Sequence, residues 1–291
     1  MTEASPATAM TRLDGWQTLQ AQGRDAADFL QRQTMNDIAA LRAPGDWQWS
    51  GLLNAKGRVQ ALFAVLRRDE ETFWLICPDA PTSDLATLLR GVMFRSKLVL
   101  SEPAITPAGC WLEAALDTPT PTAQIDAATT RLPLPALSGS RRLLLAAAPS
   151  ALPVDLDAEA QARWRYEDLC AGLPRLSPAQ RDAWTPHMLS LDALSAFSLG
   201  KGCYPGQEIV ARTHYLGRAR RRLFRLHASE PINENAAVQD ADGRDQGRVV
   251  AAASWAGRHV ALAVLPEDAA ATAGLVVDGI AVDVQSHAAA D

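Results

Sequence analysis

The stretch KGCYPGQEIVAR, Lys201 to Arg212, gathers the side chains of this 291-residue chain that are best suited to chemistry. It holds one of four cysteines, Cys203, between Gly202 and a Tyr-Pro-Gly sequence that favours a turn. Residues without a helix breaker follow, which predicts a helix over Gln207–Tyr215. A thiol just before a helix N-terminus meets free amide N–H groups and the positive end of the helix dipole. That setting draws a cysteine pKa from about 8.5 into roughly 3.5–7.5, which makes a reactive or ligand-contacting thiolate. The competing reading is a small side chain packed under a turn, since free cysteine is among the most buried residue types. Spacing alone favours the packed thiol.

Other chemistries have thinner support. A cysteine hydrolase needs a histidine placed against the thiol, and His187, His214, His227, His259 and His287 carry no local signature for one. GKGCYPG lacks the order of a phosphate-binding loop. Cys77, Cys110, Cys170 and Cys203 are far apart with no CxxC pair, which argues against a zinc or iron–sulfur site held by this chain alone. Net charge is −5, so the molecule is not a general nucleic-acid binder. Six arginines between Ile209 and His227 (Arg212, Arg218, Arg220, Arg221, Arg222 and Arg225) nevertheless form a local basic run without an acid. It reads either as an anion-binding patch or as the solvated end of a strand, and the strand end is slightly favoured. Asn36, Asp37 and Asn54 fall at element ends, where turn chemistry explains such residues.

These residues need a scaffold. DAADFLQRQTMNDI predicts a helix from Asp25 to near Asn36 and Asp37. WQWSGLLNAKGRVQALFAVLRR predicts a hairpin turning at NAKG, and TFWLICP a third strand. Ser83 is the expected cap of a helix reaching about Phe94. KLVLSE and RRLLLAAAP read as strands, LDTPTPTAQID (Leu116–Asp126) as a surface loop, and Asp157–Ala171 as a helix left through AGLP. Short strands with turn signals after Arg222 predict a small antiparallel barrel. The fold class expected is α+β, with residues 1–222 as two α+β subdomains and 223–291 as the barrel. No run of about 18 apolar residues is present to cross a membrane. The N-terminus does not read as a signal peptide, so a cytoplasmic location with reduced thiols is expected.

KGCYPGQEIVAR matches the signature K-G-C-[FY]-x-G-Q-E-x-x-A-R of the folate-binding YgfZ family at every defined position. FLQRQTMND (Phe29–Asp37), NAKGRV (Asn54–Val59), AGLP (Ala171–Pro174) and the C-terminal GRVVAAA…ALAVLP also resemble that family. The resemblance covers nearly the whole chain and is least distinctive from about Glu102 to Asp157. The family is related in fold to the T-protein of the glycine cleavage system, an aminomethyltransferase that uses tetrahydrofolate.

The resemblance implies subdomains around a central channel that holds tetrahydrofolate or a one-carbon derivative. It implies a factor for assembly or maintenance of iron–sulfur clusters, including those of tRNA-thiomethylating enzymes, with Cys203 as the functional thiol. A folate needs an acid or amide for its donor edge, an aromatic for its flat face and a cation for its glutamate tail. Lys201, Tyr204, Gln207, Glu208, Arg212 and Arg218, with Asn36 and Asp37, are the binding residues this implies. Two departures bear on activity. Aminomethyltransferases carry an acidic pair in the strand after the hairpin turn, whereas Arg58–Leu66 has no carboxylate. Cys170 stands where their helix exit carries the glutamate that holds the pterin. Within the family pattern, His187 and Ser190 stand where Gln and Asn are usual. A one-carbon transferase and an RNA-binding module built on Arg218–Arg225 are the alternatives. The acidic balance and the lack of interleaved aromatics argue against direct tRNA binding.

Overall fold

Val59–Arg67 reads VQALFAVLR because both of its faces are buried. In the computed structural model, which describes residues 10–112, 122–147, 155–216, 220–272 and 274–286, this segment is strand β4. It forms a sheet with β3 (Trp47–Leu53), β5 (Thr72–Cys77), β2 (Gln17–Gln22) and β6 (Val99–Ser101), in the order β3-β4-β5-β2-β6. All neighbours are antiparallel. Side chains alternate across a strand, so Ala61, Phe63 and Val65 face one core and Leu62, Ala64 and Leu66 face another. The first core is closed by helices α1 (Ala26–Gln33) and α2 (Thr82–Val92) through Phe29, Leu30, Leu85 and Leu89.

A second sheet has the order β1-β7-β10-β9-β8, from β1 (Met10–Arg12), β7 (Thr106–Leu112), β8 (Gln124–Ile125), β9 (Thr129–Leu134) and β10 (Ser140–Ala146). Helix α3 (Ala158–Cys170) is capped by Asp157, whose side chain accepts from the N–H groups of Glu159 and Ala160. Its Trp164 lies so close to β7 that a Cβ on Gly109 would meet the indole at 2.5 Å. Only glycine admits that approach. The last six strands, β11 (Arg221–Ala228), β12 (Ala237–Gln239), β13 (Asp245–Trp255), β14 (Arg258–Pro266), β15 (Val276–Val277) and β16 (Ile280–Ser286), close into a barrel. β11 pairs with both β14 and β16, so this sheet has no free edge. The second face of the first sheet, the second sheet, α3 and the outer wall of the barrel share one apolar core, while the barrel interior holds its own.

The mixed α+β class and the C-terminal antiparallel barrel agree with the expectation. Three local readings are corrected. The first helix ends at Gln33, not near Asn36. Thr34 turns extended, pairs with Leu52 in the hairpin, and its hydroxyl donates to Leu30 O at 2.9 Å. Ser83 does not cap the second helix, which starts at Thr82 after Pro81 with no side-chain cap. Gln17 Oε1 accepts the Thr82 N–H there, at 3.0 Å. Within LDTPTPTAQID, Gln124 and Ile125 form β8, while 116–121 lie outside the described residues. Among the described residues no helix is long and apolar enough to cross a membrane.

Candidate functional site

The motif opens on a buried cation. Lys201 is 7% exposed, and its ammonium donates to Thr34 O at 2.6 Å and Asn36 O at 2.8 Å. Those carbonyls are available because α1 stops early and the chain turns away from it. Burial pulls the Lys201 pKa down to about 8, with Asp37 opposing the shift. The ammonium also lies 5.1 Å from the centre of the Tyr204 ring. Tyr204 is buried, its pKa is pushed up to about 12 by that burial, and its hydroxyl has no partner among the described residues.

Asn36 completes this base. Its amide donates to Trp49 O at 2.8 Å and Ser195 O at 2.7 Å, and its oxygen accepts the Asp37 N–H at 2.9 Å. Asp37 accepts from Gln31 and from the Ala39 N–H, capping a short 3-10 turn. Gln207 donates to Lys201 O at 3.4 Å. The helix predicted after the motif is α4 (Gln207–Leu216). It follows Gly206, whose φ of +78° suits glycine, and an added Cβ there would lie 2.6 Å from Asn54 O and 2.9 Å from Gly57 Cα. The NAKG turn of the first hairpin is therefore pressed against the Pro-Gly of the motif. Asn54 sets that turn by accepting from the N–H groups of Lys56 and Arg58.

The structure thus brings together Asn36, Asp37, Lys201, Tyr204 and Gln207, with side chains largely committed to the protein itself. Glu208 and Arg212 are exposed on α4 and make no hydrogen bond or ion pair with the described residues. Arg218 lies outside the described residues. Cys203 is exposed, while Cys77 and Cys110 are buried and Cys170 is half-buried. Burial raises the pKa of those three, that of Cys77 to about 12. The arginine run is mostly structural. Arg221 donates to Gln246 O at 2.7 Å, Arg222 pairs with Asp192 at 2.5 Å, and Arg225 donates to Cys170 O at 2.7 Å. These contacts hold the barrel rather than a ligand's tail.

His187 is buried with neither ring nitrogen hydrogen-bonded among the described residues, against Phe197 at 5.1 Å and His214 at 6.0 Å between ring centres. Burial lowers its pKa, with His214 and Arg222 adding and Asp192 opposing. Ser190, the other departure, accepts the Leu223 N–H at 3.1 Å and ties its turn to β11.

Sequence reasoning missed a second region. A cavity of about 270 Å³ opens between α3 and the segment after β1, lined in part by Asp14, Trp16, Gln161, Trp164, Arg165 and Arg175. The indole N–H groups of Trp16 and Trp164 have no partner among the described residues. Arg141 bridges Asp168 at 2.7 Å and Glu167 at 3.7 Å, and Arg175 binds Asp168 at 2.7 Å and Asp79 at 2.6 Å. Arg165 reaches Glu234 of the barrel at 2.5 Å and Asp79 at 3.7 Å. Ionic groups that include the lining residues Arg165 and Arg175 thus link both sheets, α3 and the barrel. The region's usable signal was RWRYED, a tryptophan between two arginines on a helix, with LDGW far upstream. Both indoles are almost wholly buried, their N–H groups included, and Arg165 and Arg175 are already paired with carboxylates.

Three layers of this kind, two α+β units and a barrel around shared ionic contacts, define an aminomethyltransferase T-type fold. The crystal structure of glycine cleavage system aminomethyltransferase T from Bartonella henselae superposes with a TM-score of 0.74, at 17% identity, over 97% of this chain and 86% of that one. A family model described as the CAF17 C-terminal beta-barrel domain matches residues 220–290. The tRNA-modifying protein YgfZ of Edwardsiella ictaluri is 31% identical over 252 residues, covering 78% of this chain and 73% of that protein. The tRNA-modifying protein YgfZ of Klebsiella pneumoniae is 31% identical over 237 residues, covering 76% and 72%. The chain belongs to the YgfZ family.

Proposed function

We propose that this chain is a cytoplasmic folate-binding factor for the assembly or maintenance of iron–sulfur clusters, including those of tRNA-thiomethylating enzymes, with Cys203 as its working thiol. The observation that carries the reading is that Cys203, alone of the four cysteines, is open to solvent. The loop presenting it rests on Lys201, Asn36 and the Gly57–Gly206 contact, which suits a thiol offered to a partner. Clusters are usually held by four thiolates, so one cysteine serves as a shared ligand with client thiols completing the set.

The folate reading is supported by the T-type fold and by the similarity to YgfZ proteins. Tetrahydrofolate or a one-carbon derivative would supply one-carbon chemistry when bound. The protein's own groups bind and orient it. Transferase activity has less support, because β4 carries no carboxylate and the buried carboxylates of α3, Glu167 and Asp168, are held by arginines. The test is Cys203→Ala in cells lacking the native protein. Loss of tRNA thiomethylation is expected, and normal thiomethylation would remove the role of the thiol.

A further inference from the structure

We propose that the end of α2 and the loop after it, Leu88 to Lys97, form a docking surface for an acidic amphipathic helix of a partner protein. The proposal is independent of the reading of Cys203 given above.

Phe94 is 78% exposed, more than any other large apolar side chain among the described residues. Val92 and Leu88 are exposed as well. Those two are four positions apart in α2, so they lie on one side of it, a turn from each other. Leu85, Ala86 and Leu89 already fill the core beneath the helix, which leaves Leu88 and Val92 without a packing role there. An apolar group of this kind, rimmed by charge, marks a protein-binding surface.

The loop is held at both ends. Met93 packs against the core at its start. At its end the Lys97 N–H donates to Asp25 Oδ2 at 2.7 Å. A Cβ on Gly23 would lie 2.3 Å from Lys97 O, so the neighbouring turn approaches as closely as glycine allows. Between these anchors Arg95 has φ +57°, a left-handed conformation that non-glycine residues rarely adopt. Such outliers cluster at functional positions. The Arg95 guanidinium lies 4.9 Å from the centre of the Phe94 ring. The loop thus presents an aromatic and an arginine together, two residue kinds enriched in interfaces.

Charge selects the occupant. From Leu85 to Ser101 the chain carries Arg90, Arg95 and Lys97 and no acid, although the whole molecule is at −5. None of the three forms an ion pair with a described residue, and nearby Asp25 is taken by the Lys97 N–H and by Arg24 at 3.6 Å. Unpaired cations around an apolar centre match carboxylates beside apolar anchors on a partner. A second copy on the same surface would bring the same cations against them. RNA fits less well, since Phe94 is the single ring there on which a base could stack. Strand addition is disfavoured too. The sheet edge, β6, has only three residues, and Arg90 already donates to Leu100 O at 3.4 Å. A helix presents apolar anchors and flanking acids on one face without needing that edge.

The test is fluorescence anisotropy of the full chain with a labelled amphipathic helical peptide of about 18 residues, leucine on one face and glutamate on the other. The peptide should bind at low salt and release as salt rises. Phe94→Ser should weaken binding about tenfold or more, and so should Arg95→Glu combined with Lys97→Glu. Leu137→Ser, at an exposed leucine elsewhere, should leave it unchanged. Circular dichroism should show all variants folded, since the replaced side chains are exposed. A peptide with lysine in place of glutamate should not bind. No binding of the acidic peptide, or binding that Phe94→Ser leaves intact, would overturn the proposal. It would also be overturned if oligouridylate or phosphatidylserine vesicles bind in its place and are lost in the same variants. A dimer in sedimentation that Phe94→Ser makes monomeric would give the surface to a second copy and overturn it as well.

Discussion

Gly206→Ala isolates the contact that joins the motif to the first hairpin. The residue has φ +78°, and an added Cβ would lie 2.6 Å from Asn54 O and 2.9 Å from Gly57 Cα. Placing an alanine in the left-handed region costs about 1–2 kcal/mol. The clash is with backbone on both sides, so no rotamer relieves it. Overpacking of this kind adds about 1–3 kcal/mol. The sum, roughly 2–5 kcal/mol, corresponds to a fall in Tm of about 4–20 °C at roughly 2–4 °C per kcal/mol for chains approaching this size. Gly202→Ala is the control, because it lies in the same loop with nothing within 4 Å of its added Cβ and no positive φ. It should leave Tm within about 2 °C, given that surface substitutions are usually within ±0.5 kcal/mol. Both are measured by thermal unfolding followed by circular dichroism. Equal Tm values for the two variants would refute the claim that the hairpin turn and the motif are held in van der Waals contact.

Two further outcomes follow from burial and charge. One thiol should react quickly with Ellman's reagent in the native protein and four after denaturation, and Cys203→Ala should abolish the fast phase; a fast phase surviving in that variant would contradict the exposure of the four cysteines. The lowered pKa of His187 means that the unfolded chain takes up its proton first as pH falls. Its contribution to stability is therefore complete above the ordinary value near 6.5 and declines as pH drops below it. His187→Gln should flatten the fall in Tm between about pH 6.5 and 5, leaving the smaller slope expected of His227, which burial also lowers. An unchanged pH profile in that variant would show that His187 is not buried as neutral imidazole.

The chain's periodicity and punctuation were enough for the hairpin, the helix after the motif, the exit through AGLP and the C-terminal run of short strands. These depend on local rules of alternation, capping and turn chemistry. KGCYPGQEIVAR was legible as the place where a cysteine, glycines and polar residues meet, and the arginines after it were legible as a charge run. The tertiary structure decided which of these side chains face outward. Lys201 and Asn36 look like ligand residues in sequence. They are instead fastened to main-chain carbonyls, because the first helix stops at Gln33 and leaves Thr34 O and Asn36 O without helical partners. Arg221, Arg222 and Arg225 look like an anion site, yet the barrel's docking uses them. Cys203 could not be told from a packed thiol by spacing, since exposure is set by what the rest of the chain leaves uncovered. Asp14, Trp16, Trp164 and Arg175 were invisible as a group for a similar reason. They are up to about 160 positions apart, and a cavity exists only where a sheet edge, a helix and a loop close around one volume.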